Sequence, residues 1–414
     1  MSCRLTLSLA CTAVLLTSPV GAGRGTVAPI GPFQPVVVPD ADGAAEPNLT
    51  VGFKGRPWLS WLQPKAGGGH QFLAAPMTAT SVGRPITIAE GTSFLANWAD
   101  FPALFFAADG TMAAHWLERA GSRAAYHIRM KTSRDQGRTW GATVTPHRDA
   151  SPVEHGFVSF FDAPGGGVGV AWLDGREMAA TGAGGHGAGN MTLRTTTVRG
   201  DSLGEDVVLD GRVCDCCQTA AARTADGVVV AYRDRTAPAA GQPEIRDISV
   251  VRYEEGAWSP PTVVHHDGWE LSGCPVNGPA VAAAGRHVAI AWFTDQGRTP
   301  RVLAAFSSDG GRTFSPPVRL NGDVTLGRVD VVMPSADRAF VSFIERTEPG
   351  ARLVVREVRR DGTAGSPATV APISRERTSG FARMAIAQGR LFVTWTEVPP
   401  NAPTRVRAAS AVIE

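Results

Sequence analysis

Short runs of apolar residues that end in an aromatic residue recur at regular distances along the chain. They end 51 to 60 residues apart, at Trp61, Trp116, Trp172, Tyr232, Trp292, Phe343 and Trp395. No helical periodicity separates them. Each repeat has room for four strands, with the aromatic-ending run as the second strand. The pattern therefore predicts an all-β fold of seven repeats.

The two ends of the repeat region complement each other. Residues 33–38 look like a fourth strand without its own repeat, and the last repeat ends after its third strand, at residues 407–413. Pairing these segments would close a ring and remove an open sheet edge. We predict a single β-propeller of four-stranded antiparallel blades over residues 23–414, closed by the N-terminal strand, with seven blades favoured by the count.

Two turns share the pattern S-x-D-x-G-x-T-[WF]. In such a turn the Asp accepts backbone hydrogen bonds, and the Gly takes a conformation that other residues avoid. The pattern residues are Ser133, Asp135, Gly137, Thr139 and Trp140, and then Ser307, Asp309, Gly311, Thr313 and Phe314. These are Asp boxes, and on them the chain resembles the sialidase (BNR-repeat) superfamily of β-propellers. The superfamily's sialidases have six blades, so six is the alternative count.

The strand order predicts which loops share a face. Turns between the third and fourth strands, including both Asp boxes, should lie on one face and have a structural role. The loops between second and third strands and the blade connections should meet at the axial rim of the other face, where propellers place ligand sites. The rim residues predicted to bind a small-molecule or glycan ligand are Arg176, Arg235, Arg246, Arg328, Asp330 and Asn277.

The resemblance implies a catalytic set for an exo-glycosidase acting on acidic sugars. In sialidases an arginine triad holds the substrate carboxylate, a Tyr–Glu pair is the nucleophile and an Asp is the acid/base. The candidates here are Asp174, Glu177, Glu345 and Tyr126. The R-I-P signature that precedes the first blade of sialidases is absent. The same charged residues would alternatively pair with each other, as Asp174 would with Arg176.

A cysteine cluster is the least generic feature of the rim. Four cysteines follow the N-terminal segment: Cys214, Cys216, Cys217 and Cys274. Disulfides are the default in an oxidising compartment. The alternative is a soft-metal or redox site in which these thiols, with His155, hold copper or zinc. A second function hypothesis is therefore a non-catalytic propeller that binds a metal or a protein partner at this rim.

The N-terminal segment predicts where the protein is located, and the net charge limits the expected partners. Arg4, the apolar residues 5–16 and the small residues of Val20-Gly21-Ala22 predict a secretory signal over residues 1–22, cleaved near Ala22. The mature protein is expected in the periplasm or outside the cell. The formal net charge of the 414-residue chain is only +2, so nothing indicates nucleic-acid binding. No later stretch is apolar enough to span a membrane.

Overall fold

The computed structural model describes residue 1 and residues 30–121, 125–179, 189–236, 242–322 and 324–413. The predicted signal segment, apart from Met1, lies outside these residues. Within them, no helix is long and apolar enough to cross a bilayer. The described segments contain one α-helix, the single turn α1 (Arg176–Ala179), and three-residue 3-10 turns at Phe53–Gly55, Gln296–Arg298 and Arg377–Ser379.

Strands account for nearly all of the regular structure. In chain order they are β1 (Gln34–Val36), β2 (Ala45–Val51), β3 (Pro57–Pro64), β4 (His70–Pro76), β5 (Ile86–Gly91), β6 (Ala103–Phe106), β7 (Met112–Arg119), β8 (Tyr126–Ser133), β9 (His155–Asp162), β10 (Val168–Asp174), β11 (Met191–Arg199), β12 (Ser202–Leu203), β13 (Val207–Val213), β14 (Ala220–Arg223), β15 (Gly227–Arg233), β16 (Ile248–Glu254), β17 (Ala257–Trp258), β18 (Thr262–Val263), β19 (Ala280–Ala284), β20 (His287–Thr294), β21 (Arg301–Ser307), β22 (Val318–Arg319), β23 (Thr325–Ser335), β24 (Arg338–Thr347), β25 (Gly350–Arg359), β26 (Ala368–Ile373), β27 (Arg383–Ala387), β28 (Arg390–Glu397) and β29 (Arg405–Val412).

These strands form seven antiparallel sheets, one for each predicted repeat. Blades 1 to 7 begin with β2, β6, β9, β14, β19, β23 and β27. Two strands share the fourth position in blades 3 and 4. In blade 2 that position is reduced to a bridge between Met130 and Val144. The predicted seven-bladed propeller is confirmed, and the six-bladed alternative is wrong.

The ring closes as the sequence predicts. Strand β1 pairs antiparallel with β29, with Gln34 opposite Ser410 and Val36 opposite Ala408. Blade 7 is therefore completed from the N-terminal side of the chain. Pro35 is tolerated at this position because β1 is the outer edge strand and a proline nitrogen has no hydrogen to donate to a further neighbour.

The hydrophobic core lies between neighbouring blades. The second strands supply its centre, because they are covered by strands on both sides and by blades on both faces; Trp172 and Trp292, at the ends of two such strands, are fully buried. One apolar cluster joins Leu117 and Ile128 of blade 2 to Phe160 and Val170 of blade 3. Packing of this kind fixes the ring and presents the loops at its two faces as rigid rims.

The Asp boxes have the same local geometry in blades 2 and 5. Asp135 accepts hydrogen bonds from the Thr139 backbone at 2.9 Å and the Thr139 hydroxyl at 2.6 Å. Asp309 does the same with Thr313, at 3.0 and 2.6 Å. Both glycines have positive φ, +82° at Gly137 and +87° at Gly311, a backbone conformation that residues with a side chain rarely adopt. Each carboxylate is satisfied within its own turn, which supports the predicted structural role.

Candidate functional site

The first strands of all seven blades surround a cavity of about 260 Å³ on the axis. Its wall combines apolar side chains, such as Leu104, Phe157 and Val281, with polar ones, such as Asp100 and Gln218. Asp330, predicted to bind a ligand, lies in this wall but is paired within the protein: it is 3.3 Å from Arg383 and accepts a hydrogen bond from the Met384 backbone at 2.7 Å.

Two of the four predicted ligand-binding arginines are held by separate parts of the rim. Arg176 lies 2.6 Å from Asp174 and 2.9 Å from Asp206. Arg328 is buried, donates to the Ser379 hydroxyl at 2.7 Å and stacks over Trp98 at 5.0 Å. Their guanidinium groups are therefore occupied by protein partners, and the pairing of Asp174 with Arg176 is confirmed.

The other two arginines converge, but on a carboxylate of the protein itself. Arg235 and Arg246 lie 2.9 and 3.2 Å from Glu244 Oε2, and Arg212 lies 2.5 Å from Glu244 Oε1. Hydrogen bonding from Arg235 lowers the pKa of Glu244, which keeps it ionised. We call these four residues the arginine group. The predicted carboxylate clamp is thus filled from within the chain.

The acidic residues predicted as catalysts are likewise engaged in ion pairs. Glu177 binds Arg194 at 3.0 Å, and the buried Glu345 binds Arg352 at 2.7 Å. Asp174 is fully buried and accepts a hydrogen bond from Trp172 Nε1 at 2.8 Å. Burial raises the pKa of Asp174, but its hydrogen bonds with Arg176 outweigh that effect and the pKa is lowered. A carboxylate held in this way is a poor proton donor at neutral pH.

Tyr126 is the predicted catalytic residue with the most unusual surroundings. It is buried, and burial together with the charges of Asp100 and Glu154 raises the pKa of its hydroxyl. Burial also raises the pKa of both carboxyls to about 7. At Gly156 a Cβ would lie 2.0 Å from Asp100 Oδ2 and 2.7 Å from the Tyr126 ring, so glycine is required there. Asp100 and Glu154 lie in blade connections, which the strand order places at the rim, but no sequence pattern singles them out.

His155 is in a histidine cluster and not beside the cysteines. Its Nε2 lies 3.0 Å from Asp149, and its Nδ1 is 3.3 Å from the Tyr126 carbonyl oxygen. Its ring stacks on that of His147 at 3.8 Å with an interplanar angle of 11°. The prediction that His155 joins the cysteines is therefore corrected: its hydrogen bonds hold it elsewhere. Ring nitrogens of His127, His147 and His155 lie within 4.8 Å of one another.

The sulfur atoms of Cys214, Cys216 and Cys217 form a compact group, here called the inner thiol group. All three lie within 4.8 Å of one another, with Cys214 Sγ 3.4 Å from Cys217 Sγ and 3.9 Å from Cys216 Sγ. They belong to the connection from blade 3 to blade 4. A backbone hydrogen bond of 3.0 Å from Cys214 N to the Arg233 carbonyl fixes that connection against β15.

Chemically, the inner thiol group consists of free thiols in a positively charged environment. All four cysteines of the described chain are free, so the predicted disulfide is not confirmed. Hydrogen bonds with Cys216 and Cys217 lower the pKa of the Cys214 thiol, and the charge of Arg246 acts in the same direction. Burial raises the pKa of Cys217. A soft metal ion would displace the thiol protons and bind the three sulfurs as thiolates.

Cys274 and Asn277 belong to the next connection, from blade 4 to blade 5. Cys274 is exposed, and its Sγ lies 3.5 Å from Asp215 Oδ1. Asn277, predicted to bind a ligand, holds the connection in place: its Oδ1 accepts a hydrogen bond from the Arg328 backbone at 2.7 Å, and its carbonyl oxygen accepts one from Arg233 Nε at 3.0 Å. The structure thus confirms that the two cysteine-bearing connections are neighbours.

Comparison with known proteins identifies the fold and no family. No family model matches the chain, and no curated protein matches it. A solved protein of unknown function from Dyadobacter fermentans is 13% identical, with a TM-score of 0.54 over 93% of this chain and 99% of that one.

Enzymes are also among the similar structures. An alpha-L-arabinofuranosidase from Fusarium graminearum is 14% identical, with a TM-score of 0.44 over 94% of this chain and 98% of that one. The intramolecular trans-sialidase from Ruminococcus gnavus is 10% identical, with a TM-score of 0.48 over 78% and 97%. At these identities the likeness concerns the fold alone. The chain is a β-propeller of the architecture that the Asp boxes predicted.

Proposed function

We propose that this propeller binds a soft metal ion, copper(I), through Cys214, Cys216 and Cys217 at its axial rim. The observation that carries the proposal is the contact of three thiol sulfurs, 3.4 and 3.9 Å from Cys214 Sγ. Thiolates select copper(I) and zinc among biological metals. Zinc in proteins is almost always four-coordinate, and the inner thiol group supplies three sulfurs. This stoichiometry favours copper(I).

The charge of the surroundings supports anionic ligands at this position. Arg246 and Arg235 lie on the same side of the rim as Cys214, whose pKa is lowered. Removing protons from three thiols builds negative charge, which one copper ion neutralises only in part. Nearby guanidinium groups stabilise the remaining charge. Export would place the thiols in an oxidising compartment, where disulfide formation competes with metal binding.

The test is a competitive titration of reduced protein, prepared without oxygen, with copper(I) and a coloured copper(I) chelator. We expect one copper(I) per chain, and a loss of affinity of more than tenfold in Cys214→Ala, Cys217→Ala and Cys216→Ala. Cys216 is only half-buried, so its variant is the least prone to misfold. A wild-type protein that takes no copper(I) from the chelator, or variants that bind as tightly as wild type, would overturn the proposal.

A second candidate function is glycoside hydrolysis at Asp100, Glu154 and Tyr126. Two carboxyl groups with pKa values raised to about 7 are matched to proton transfer near neutral pH. The test is fluorophore release from a panel of aryl glycosides, including a sialoside. Activity lost in Asp100→Asn and Glu154→Gln but kept in the exposed Glu205→Gln would support it. A panel with no turnover would eliminate it. An acidic substrate has lost its support, because Arg176 and Arg328 are held in separate parts of the rim and Arg235 and Arg246 bind Glu244.

A further inference from the structure

A second ligand group overlaps the inner thiol group at one residue. Asp215, Cys216 and Cys274 each place a ligand atom within 4.8 Å of the other two. Cys216 belongs to both groups, and it is the residue they share. We call Asp215 and Cys274 the outer pair. Two adjacent sets of metal-binding atoms with one common sulfur provide a path along which an ion can change ligands one at a time.

Exposure changes in one direction along this path. Cys274 is exposed, Cys216 is half-buried, and Cys214 and Cys217 are each 1% exposed. An ion arriving from solvent or from another molecule therefore meets Cys274 first. The inner sulfurs cannot be reached directly, because their burial excludes a carrier of any size. The outer pair is placed where a carrier's ligands can still touch the ion.

The segment that carries Cys274 is fixed relative to the inner thiol group. Gln218 Oε1 accepts a hydrogen bond from the Gly278 backbone at 3.0 Å, which ties the two cysteine-bearing connections together. Between Cys274 and that tie, Val276 has φ of +47°. A β-branched residue in the left-handed region is strained, and such strain persists only where the surrounding contacts impose it. The position of Cys274 is thus imposed by the fold.

We propose that the outer pair binds the incoming metal ion first and that the ion then passes through Cys216 to the inner thiol group. The inference rests on the proposed copper(I) function. Copper(I) first binds Cys274 and Cys216, with Asp215 near the ion. The bond to Cys274 then breaks as bonds to Cys214 and Cys217 form. Copper stays in the +1 state throughout. Cys274 and Cys216 release their protons to solvent when they first bind copper(I). Cys214 and Cys217 then lose two protons, one to the departing Cys274 thiolate and one to solvent.

The test separates the rate of loading from the strength of binding. Reduced protein is mixed in a stopped-flow instrument with copper(I) as its acetonitrile complex, and loading is followed by thiolate-to-copper ultraviolet absorption. We expect Cys274→Ser to slow loading tenfold or more and Asp215→Asn to slow it severalfold. Equilibrium affinity, measured by chelator competition, should fall less than threefold in Cys274→Ser. Ser272→Ala, an exposed change on the same segment, is the matched control.

Each outcome either supports or overturns the role of the outer pair in copper(I) entry. Unchanged loading in Cys274→Ser would overturn the entry path while leaving the inner thiol group as the binding site. A loss of affinity as large as that of Cys214→Ala would also overturn it, because Cys274 would then be a permanent ligand. Failure of the proposed function itself is distinguishable, since wild-type protein would then show no copper(I) absorption at any time.

Discussion

The arginine group and the inner thiol group lie side by side on the same rim and differ in how they are satisfied. The carboxylate of Glu244 forms ion pairs with all three arginines, Arg212, Arg235 and Arg246. Among the described residues, the thiols of Cys214 and Cys217 contact each other and Cys216. In the first group the carboxylate of Glu244 occupies the space between the three arginines, although Arg212 Nε and Arg246 Nη1 have no hydrogen-bond partner among the described residues. The second group has three soft donor atoms in contact.

The difference has a physical cause. A guanidinium or carboxylate that is taken out of water requires an opposite charge, so charged rim residues acquire protein partners as the loops fold. A thiol behaves as a small apolar group and can be buried without one. Paired arginines are therefore explained by folding alone. Three thiols in mutual contact are not, because packing is served equally well by alanine or valine.

The largest structural effect is expected from removing the centre of the arginine group. Glu244→Gln leaves three guanidinium groups close together without a carboxylate, and we expect the free energy of unfolding to fall by about 2 kcal/mol. The measurement is urea unfolding of the variant at pH 7 beside the exposed control Glu205→Gln. Adding a free acidic sugar should not raise the melting temperature of Glu244→Gln or of the control Glu205→Gln.

The contribution of Glu244 to the free energy of unfolding should depend on pH. Because the folded-state pKa of Glu244 is lowered, its contribution is fully present above the ordinary glutamate pKa of about 4.3 and is lost as the pH falls through the folded-state pKa. The stability gap between wild type and Glu244→Gln should therefore close in acid. A variant as stable as wild type, further stabilised by an acidic sugar, would show that the arginines are a ligand clamp.

A smaller effect is expected on the opposite face. Asp309→Ala removes the carboxylate that binds the Thr313 backbone and hydroxyl, and we expect a loss of about 1 kcal/mol. Copper(I) affinity should not change, because the Asp boxes lie on the face away from the inner thiol group. Weakened copper(I) binding in Asp309→Ala would contradict the separation of a structural face from a ligand-binding face.

The sequence predicts the fold better than the site, for identifiable reasons. Repeat length, the aromatic ends of second strands and the turn pattern around Asp135 are local signals, and they are sufficient for seven blades and for closure by Gln34–Val36. Side-chain partners at the rim depend on which loops meet. Nothing near Arg235 in the chain indicates that Glu244 fills the space between three arginines.

The cysteines were the exception at the rim, because strand order alone placed their two connections in contact. The sequence could not decide between a disulfide and a metal site, since both need sulfur atoms that are close together. It also could not single out Asp100, whose raised pKa arises from burial and not from any neighbouring sequence pattern.

X-ray absorption at the copper edge of the copper(I)-loaded protein tests the central claim most directly. The account predicts three sulfur ligands and no nitrogen, with loss of this signal in Cys214→Ala. A first shell dominated by nitrogen would contradict it and would move the metal to the cluster of His127, His147 and His155.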